Sequence, residues 1–267
     1  MHREKKSISP IINGVVGFPL SHTWSPKFHE LIYKTKKINA VMQAFPQKNI
    51  KKMVEYMRAK PLQMLAVTAP HKQAIMKHID VIDQTAQQIG SINTVINHQG
   101  KLYGYNTDII GIKKALAKTK LKGKNVLVLG AGGSARTVCW FLKKNGAKIF
   151  CHNRTRQKSA ALMKEFGGTA IAKKWLSVSK SLSPKIDVII NTTPIGMKPH
   201  STTSPLPKKF LQKGQTVFDL VYNPVETQLL KDAKKAGCKT ISGITMLSSQ
   251  ALTQVETWLK KMQNYSS

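Results

Sequence analysis

The chain has 267 residues, 41% of them hydrophobic, and a formal net charge of +31 from 43 Lys+Arg against 12 Asp+Glu. That length and apolar content suit one large domain or two ordinary ones with packed cores, and they exclude intrinsic disorder, collagen-like repeats and small disulfide scaffolds. Cys139, Cys151 and Cys238 form no CxxC pair and cannot all pair internally, so a reducing compartment is expected. No apolar run approaches the roughly 20 residues of a membrane span. The basic opening MHREKK is followed by no signal-peptide core. The expectation is a soluble cytoplasmic protein without a membrane partner.

Only Arg3, Arg58, Arg136, Arg154 and Arg156 are arginines; the other 38 basic residues are lysines spread over the whole length. A dedicated nucleic-acid surface concentrates Lys and Arg on one face, often with aromatics for stacking. Aromatics are only 7% here and no Arg-rich tract exists. The charge therefore reads as a solvated lysine surface with no specific nucleic-acid partner. It would speed the approach of anionic small molecules and cause weak, salt-sensitive adhesion to polyanions.

From Ile11 to about Ile109, short apolar runs (IINGVVG, AVMQAF, QMLAVTAP) alternate with helical stretches (PKFHELIYKT, IKKMVEYMRA), the pattern of an α/β unit. A second α/β unit starts near Leu121. NVLVLG (125–130) is a continuous run of the kind a parallel strand buried on both faces requires. SARTVCWFLKKNG (134–146) has helical spacing, with Gly146 where a C-terminal stop belongs. KIFCHN then predicts a strand, TRQKSAALMKEFGG a helix, and DVIINTTP and TVFDLVY further strands. PVETQLLKDAKKAG predicts a helix with Pro224 in its first turn. KTISG leads into a final helix from about Met246 to Met262. The expected fold is α/β: an N-terminal α/β domain (1–110), a Rossmann-type doubly wound parallel sheet (111–243), and a C-terminal helix (244–267) returning to the first domain.

Gly130-Ala131-Gly132-Gly133-Ser134-Ala135 lies between a predicted strand and a predicted helix and fits the dinucleotide fingerprint G-x-G-x-x-A. Gly130 permits the tight turn, and Gly132 lets backbone N–H groups approach a pyrophosphate on the helix N-terminus. A tight strand-to-helix connection without a ligand is the plainer alternative. The next strand ends in Asn153-Arg154-Thr155-Arg156, where NAD binding normally needs an Asp or Glu for the ribose 2′-OH. Two guanidiniums suit a 2′-phosphate instead. Three of the five arginines, Arg136, Arg154 and Arg156, fall in or directly beside these two loops. NADP is the expected cofactor, and a solvated basic turn is the competing reading.

Four further segments stand out: Gly17-Phe18-Pro19-Leu20-Ser21-His22-Thr23-Trp24-Ser25-Pro26, Val67-Thr68-Ala69-Pro70-His71-Lys72, Gly90-Ser91-Ile92-Asn93-Thr94 and Gly104-Tyr105-Asn106-Thr107-Asp108. With the glycine loop, the NRT turn, NTTPIGM (191–197), DLVYNP (219–224) and GITMLSSQA (243–251), they resemble the shikimate dehydrogenase family, in order and over nearly the whole chain. The resemblance implies a two-domain reductase interconverting 3-dehydroshikimate and shikimate with NADP(H), and closing over its ligands. It implies Thr23 and Ser25 on the substrate carboxylate, and Thr68, Asn93 and Gln250 on ring hydroxyls. Thr192, Gly243 and Met246 fall on the cofactor side. Ser25-Pro26 also suits a plain helix start, Met246 plain core packing, and Tyr222 either a substrate contact or a strand end.

Reducing a ketone needs a hydride on carbon and a proton on oxygen, and a lysine can stabilise the developing alkoxide and deliver that proton. Lys72 and Asp108 are the acid/base candidates. By the resemblance Lys72 is catalytic, and Asp108 hydrogen-bonds a substrate hydroxyl. Two positions depart from the family pattern: Thr23 where Ser is usual, and Ala66 where Asn is usual. They keep a quinate-type or amino-shikimate substrate as the alternative. A noncatalytic NADP-binding sensor and a nucleic-acid-binding protein are the competitors from other classes. No His or Cys spacing suggests a metal site: Cys151 and His152, adjacent on a strand, point to opposite faces. The expected partner is a small anionic substrate, and a homodimer is one expectation for the assembly.

Overall fold

The computed structural model describes residues 9–20, 23–60, 62–172, 185–199 and 201–263. Ser21, His22 and the basic KKW at 173–175 lie outside the described residues, as does the MHREKK opening. The chain divides into two compact units. The first comprises Met1–Asp83, Ile92–Tyr105 and Ala251–Ser267; the second comprises Gln84–Ser91 and Asn106–Gln250.

The first unit begins with β1 (Ile11–Gly17), α1 (Ser25–Thr35), β2 (Ala40–Pro46), α2 (Ile50–Ala59) and β3 (Leu62–Val67). β1 lies parallel between β2 and β3, so its second half is buried on both faces. The register slips between Ile12 and Gly14. Asn13 fills the gap: its Oδ1 accepts from Met64 N at 2.9 Å and its Nδ2 donates to Tyr33 Oη at 2.9 Å. The Asn49 side chain caps α2 by accepting from Lys51 N and Lys52 N, and Ile50, Met53, Val54 and Met57 form the buried stripe.

β4 (Val81–Ile82), β5 (Thr94–His98) and β6 (Lys101–Tyr105) complete a six-stranded sheet of order β2-β1-β3-β5-β6-β4. β5 pairs antiparallel with both β3 and β6. The β5–β6 hairpin was not foreseen, because its turn is Gln99-Gly100 instead of Asn-Gly. Both residues take positive φ (52° and 81°), as a two-residue primed turn requires.

In the second unit, α3 (Gln84–Ile89) and α4 (Asp108–Ala115) precede β7 (Asn125–Leu129), α5 (Gly133–Lys144), β8 (Lys148–His152), α6 (Arg156–Phe166) and β9 (Thr169–Ala170). β10 (Val188–Asn191), β11 (Thr216–Asp219), α7 (Gln228–Lys235) and β12 (Lys239–Ser242) follow. The six strands are all parallel in the order β12-β11-β10-β7-β8-β9, so the winding reverses between β7 and β10. This is the doubly wound arrangement expected from the continuous apolar runs. Gly146 ends α5 at φ +68°, and Ala147 N reaches back to Leu142 O.

Two expectations need correction. Pro224 is not in the first turn of α7, which starts at Gln228 with Thr227 as its cap and Thr227 Oγ1 accepting from Leu230 N. The TVFDLVY strand stops at Asp219, because Asp219 Oδ1 accepts from Val221 N and turns the chain.

α8 (Ile244–Gln263) closes the chain. From Ala251 onward it belongs to the first unit, where Val255 and Trp258 enter a cluster with Val15, Tyr33, Met42, Met64 and Ile96. Trp258 meets Tyr33 edge-on and donates from Nε1 to Gln63 Oε1. Among the described residues, no helix is long and apolar enough to cross a membrane.

Candidate active site

In the second unit the glycine loop joins β7 to α5 at the point where the strand order reverses, the usual ligand position in such sheets. Gly130 has φ +108°, and a Cβ there would stand 2.5 Å from Thr192 Oγ1. Only glycine permits that backbone beside that neighbour. Thr192 is anchored in turn, donating from both N and Oγ1 to Leu129 O. Gly130 N donates to His152 O, tying the loop to the end of β8. A Cβ at Gly132 would meet no protein atom within 4 Å, and the first amides of α5 follow immediately. A phosphate fits this combination of exposed backbone and helix N-terminus.

Arg154 and Arg156 are exposed beyond β8, and neither forms an ion pair among the described residues. Asn153 Nδ2 donates to Thr155 O, which shapes the turn that carries them. Arg136 is different. It pairs with Glu165, donates from Nε to Ile89 O at 2.7 Å, and lies 5.3 Å from the Phe166 ring centroid. It serves packing, so the 2′-phosphate argument rests on two arginines, not three.

In the first unit the substrate candidates gather at the carboxyl ends of β1 and β3. Thr68 N donates to Val16 O, Val67 N to Asn93 O, and Ile92 N to Lys72 O at 2.8 Å. These bonds fix the Thr68–Lys72 loop beside Asn93, which is buried, while Lys72 is half-buried. His71 adds a tether through a 2.6 Å contact from Nε2 to Gln47 O. Thr23 Oγ1 accepts from Ser25 N at 3.3 Å, so these hydroxyl residues sit at the opening turn of α1. Ala66 is buried within the apolar cluster of Val15, Tyr33, Met64 and Trp258 and lies opposite Thr94 in the β3–β5 pairing.

The remaining candidates belong to the second unit. Asp108 is buried in the first turn of α4, where a carboxylate complements the helix dipole. Thr107 Oγ1 donates to Gln250 O at 3.2 Å, bringing Asp108 and Gln250 near one another in the chain's folding. Gly111 lets α4 approach the start of α8: a Cβ there would stand 2.6 Å from Met246 O. Met246 itself is buried in the core cluster around Ile112 and Val138. Gly243 packs against the carbonyls of Leu220 and Val221, with no room for a side chain. Tyr222 is half-buried, three residues past β11.

Sequence reasoning missed a buried carboxylate at the end of β11. Asp219 Oδ1 accepts from Asn191 Nδ2 at 2.9 Å and Val221 N at 3.0 Å, and Oδ2 accepts from Thr227 Oγ1 at 2.6 Å. Asn191 Oδ1 in turn accepts from Thr193 N and Oγ1, so Asp219 organises the loop after β10. Burial pushes its pKa up to about 6 against the lowering effect of those donors. The only sequence signal was an acidic residue, one of twelve, inside an apolar strand.

The family model for the shikimate dehydrogenase substrate-binding domain matches residues 15–95, and that for shikimate/quinate 5-dehydrogenase matches residues 113–219. The chain belongs to the shikimate dehydrogenase family. A relative from Methanocaldococcus jannaschii, shikimate dehydrogenase (NADP(+)), is 40% identical over 255 residues, covering 92% of this chain and 90% of the relative. A crystal structure of a shikimate dehydrogenase in complex with NADP+ superposes with a TM-score of 0.83 at 38% identity, covering 93% of this chain and 90% of that one. The Thermus thermophilus shikimate 5-dehydrogenase, in complex with NADP(H) and shikimate, gives a TM-score of 0.82 at 32% identity and covers 93% of each chain.

Proposed function

We propose that this protein is an NADP-dependent shikimate dehydrogenase, catalysing the reversible reduction of 3-dehydroshikimate to shikimate in aromatic amino acid biosynthesis. The observation that carries the reading is the Thr68–Lys72 loop, hydrogen-bonded beside Asn93, on a chain of this family. NADPH, when bound, supplies the hydride to the carbonyl carbon. Gly130, Ala131, Gly132, Gly133, Ser134 and Ala135 would hold the pyrophosphate on backbone amides. Asn153, Arg154, Thr155 and Arg156 would hold the 2′-phosphate, and Thr192, Gly243 and Met246 the nicotinamide end.

Lys72 donates the proton that the new alkoxide oxygen takes up, and accepts it back in the oxidative direction. Asp108 accepts a hydrogen bond from a substrate hydroxyl. Thr68, Asn93, Gln250 and Tyr222 serve the other hydroxyls, while Thr23 and Ser25 bind the carboxylate, which the N-terminus of α1 also favours. Substrate binding and catalysis fall mainly to residues 1–110, and cofactor binding mainly to residues 111–243. A cytoplasmic location accords with three cysteines that are all free thiols.

The added methyl of Thr23, where the family pattern has Ser, supports quinate or amino-shikimate as the rival substrate. A panel of shikimate, quinate and amino-shikimate with NADP+ and NAD+ tests both readings by the absorbance of reduced nicotinamide. Turnover of shikimate with NADP+ far above all other pairs is expected. Preference for quinate favours the rival, and no turnover of any pair supports a sensor that binds NADP without chemistry.

A further inference from the structure

His29 and Gln254 lie 225 residues apart in sequence and meet in the interior of the first unit, where both are buried. His29 Nδ1 lies 2.7 Å from Ser25 O and its Nε2 lies 3.0 Å from Gln254 Oε1. On its other side, Gln254 Nε2 donates to Asn93 O at 2.9 Å and to Thr94 Oγ1 at 3.0 Å. Thr94 Oγ1 then donates to Asn93 Oδ1 at 2.8 Å. The direction of this chain is fixed. Asn93 O can only accept, so the amide nitrogen of Gln254 must face it and the amide oxygen must face His29. The Thr94 hydroxyl, which accepts from Gln254 Nε2, has its own proton to give to Asn93 Oδ1.

We infer that His29 and Gln254 are positioning residues that hold Ser25 and Asn93 in one fixed relation, the carboxylate end and a hydroxyl end of the same substrate. The inference rests on the proposed dehydrogenase reading. Neither residue touches substrate; each acts through a backbone or side-chain group that does. A conventional core would fill this space with apolar side chains, since buried polar groups stabilise only when every partner is satisfied. Here every hydrogen-bonding atom of the Gln254 amide has a partner, and the His29 ring, kept neutral by burial, donates its one N–H to either Ser25 O or Gln254 Oε1. Such a network specifies one geometry, and the geometry it specifies is that of two groups assigned to the ligand.

Gln254→Leu keeps the volume and removes both polar ends. Thr94→Val removes only the hydroxyl, and Thr94→Ser restores it. The readouts are KM and kcat for shikimate, KM for NADP+, and thermal stability. Expected is a rise of about tenfold in shikimate KM for Gln254→Leu and Thr94→Val, the loss of one hydrogen bond's worth of alignment. NADP+ KM should stay within about twofold, and Thr94→Ser should match the wild type. A shikimate KM unchanged in folded Gln254→Leu and Thr94→Val, or rising in step with that for NADP+, overturns the relay while wild-type activity leaves the dehydrogenase reading intact. Wild-type protein that neither binds nor oxidises shikimate overturns both.

Discussion

Replacing Asp219 by Asn should change how stability depends on pH. The carboxyl is fully buried and its pKa is raised from 3.8 to about 6, chiefly by desolvation. The folded protein therefore holds this proton more tightly than the unfolded chain. The resulting stability is fully present below the unfolded pKa and is lost as pH rises through about 6. At about 1.4 kcal/mol per tenfold change in proton affinity, the effect amounts to about 3 kcal/mol. Asn keeps an acceptor for Asn191 and Val221 and offers an N–H to Thr227 Oγ1, so the variant should fold.

Urea unfolding of both proteins from about pH 4 to about pH 7 provides the assay, with stability taken as wild type minus variant. Asp80, held low by Arg58, and Asp187, lowered despite partial burial by the Asn125 amide and Lys124, titrate alike in both proteins and cancel in that difference. The difference should fall by about 2 kcal/mol across this range, which starts just above the unfolded pKa. A flat or rising difference would refute the reasoning that the site is desolvated and its charge uncompensated.

Two other substitutions probe the binding residues. Arg154→Ala should raise KM for NADP+ about 10- to 100-fold, the worth of a charge-assisted hydrogen bond, and leave KM for NAD+ within about twofold. An equal effect on both cofactors would remove Arg154 from the 2′-phosphate. Ala66→Asn should lower stability by about 1–3 kcal/mol without tightening shikimate binding, because the added amide enters an apolar cluster. Tighter binding at unchanged stability would show instead that the amide reaches the ligand.

The second domain was largely legible in the sequence because each of its signals is local. Val126–Leu129 and Val188–Asn191 are buried on both faces and so read as continuous apolar runs. Gly130 and Gly146 stand where the backbone needs positive φ. The first domain hid more. Its β5–β6 hairpin turns on Gln99, which sequence propensity would not select, and the segment 84–91 belongs to the second unit although residues on both sides belong to the first. Pro224 fits a helix start by local rule, yet the Asp219 and Thr227 side chains place that start four residues later.

The candidate site divides in the same way. Lys72, Asn93 and the glycine loop belong to contiguous motifs and could be named in advance. Arg136 lies beside the glycine loop in sequence, yet its partners Ile89, Glu165 and Phe166 come from α3 and α6. The His29–Gln254 pair was out of reach, because its meaning depends on which backbone oxygen faces which nitrogen across 225 residues.

The Lys72→Ala variant puts the account's central chemistry to trial in a single pair of numbers: kcat with saturating shikimate and NADP+, and the dissociation constant for NADP+ alone. A residue that transfers the proton should cost about 100- to 10,000-fold in kcat while NADP+ affinity stays within about twofold. A kcat within about fivefold of wild type, or equal losses in kcat and cofactor affinity, would contradict the assignment of Lys72 as the acid that completes the reduction.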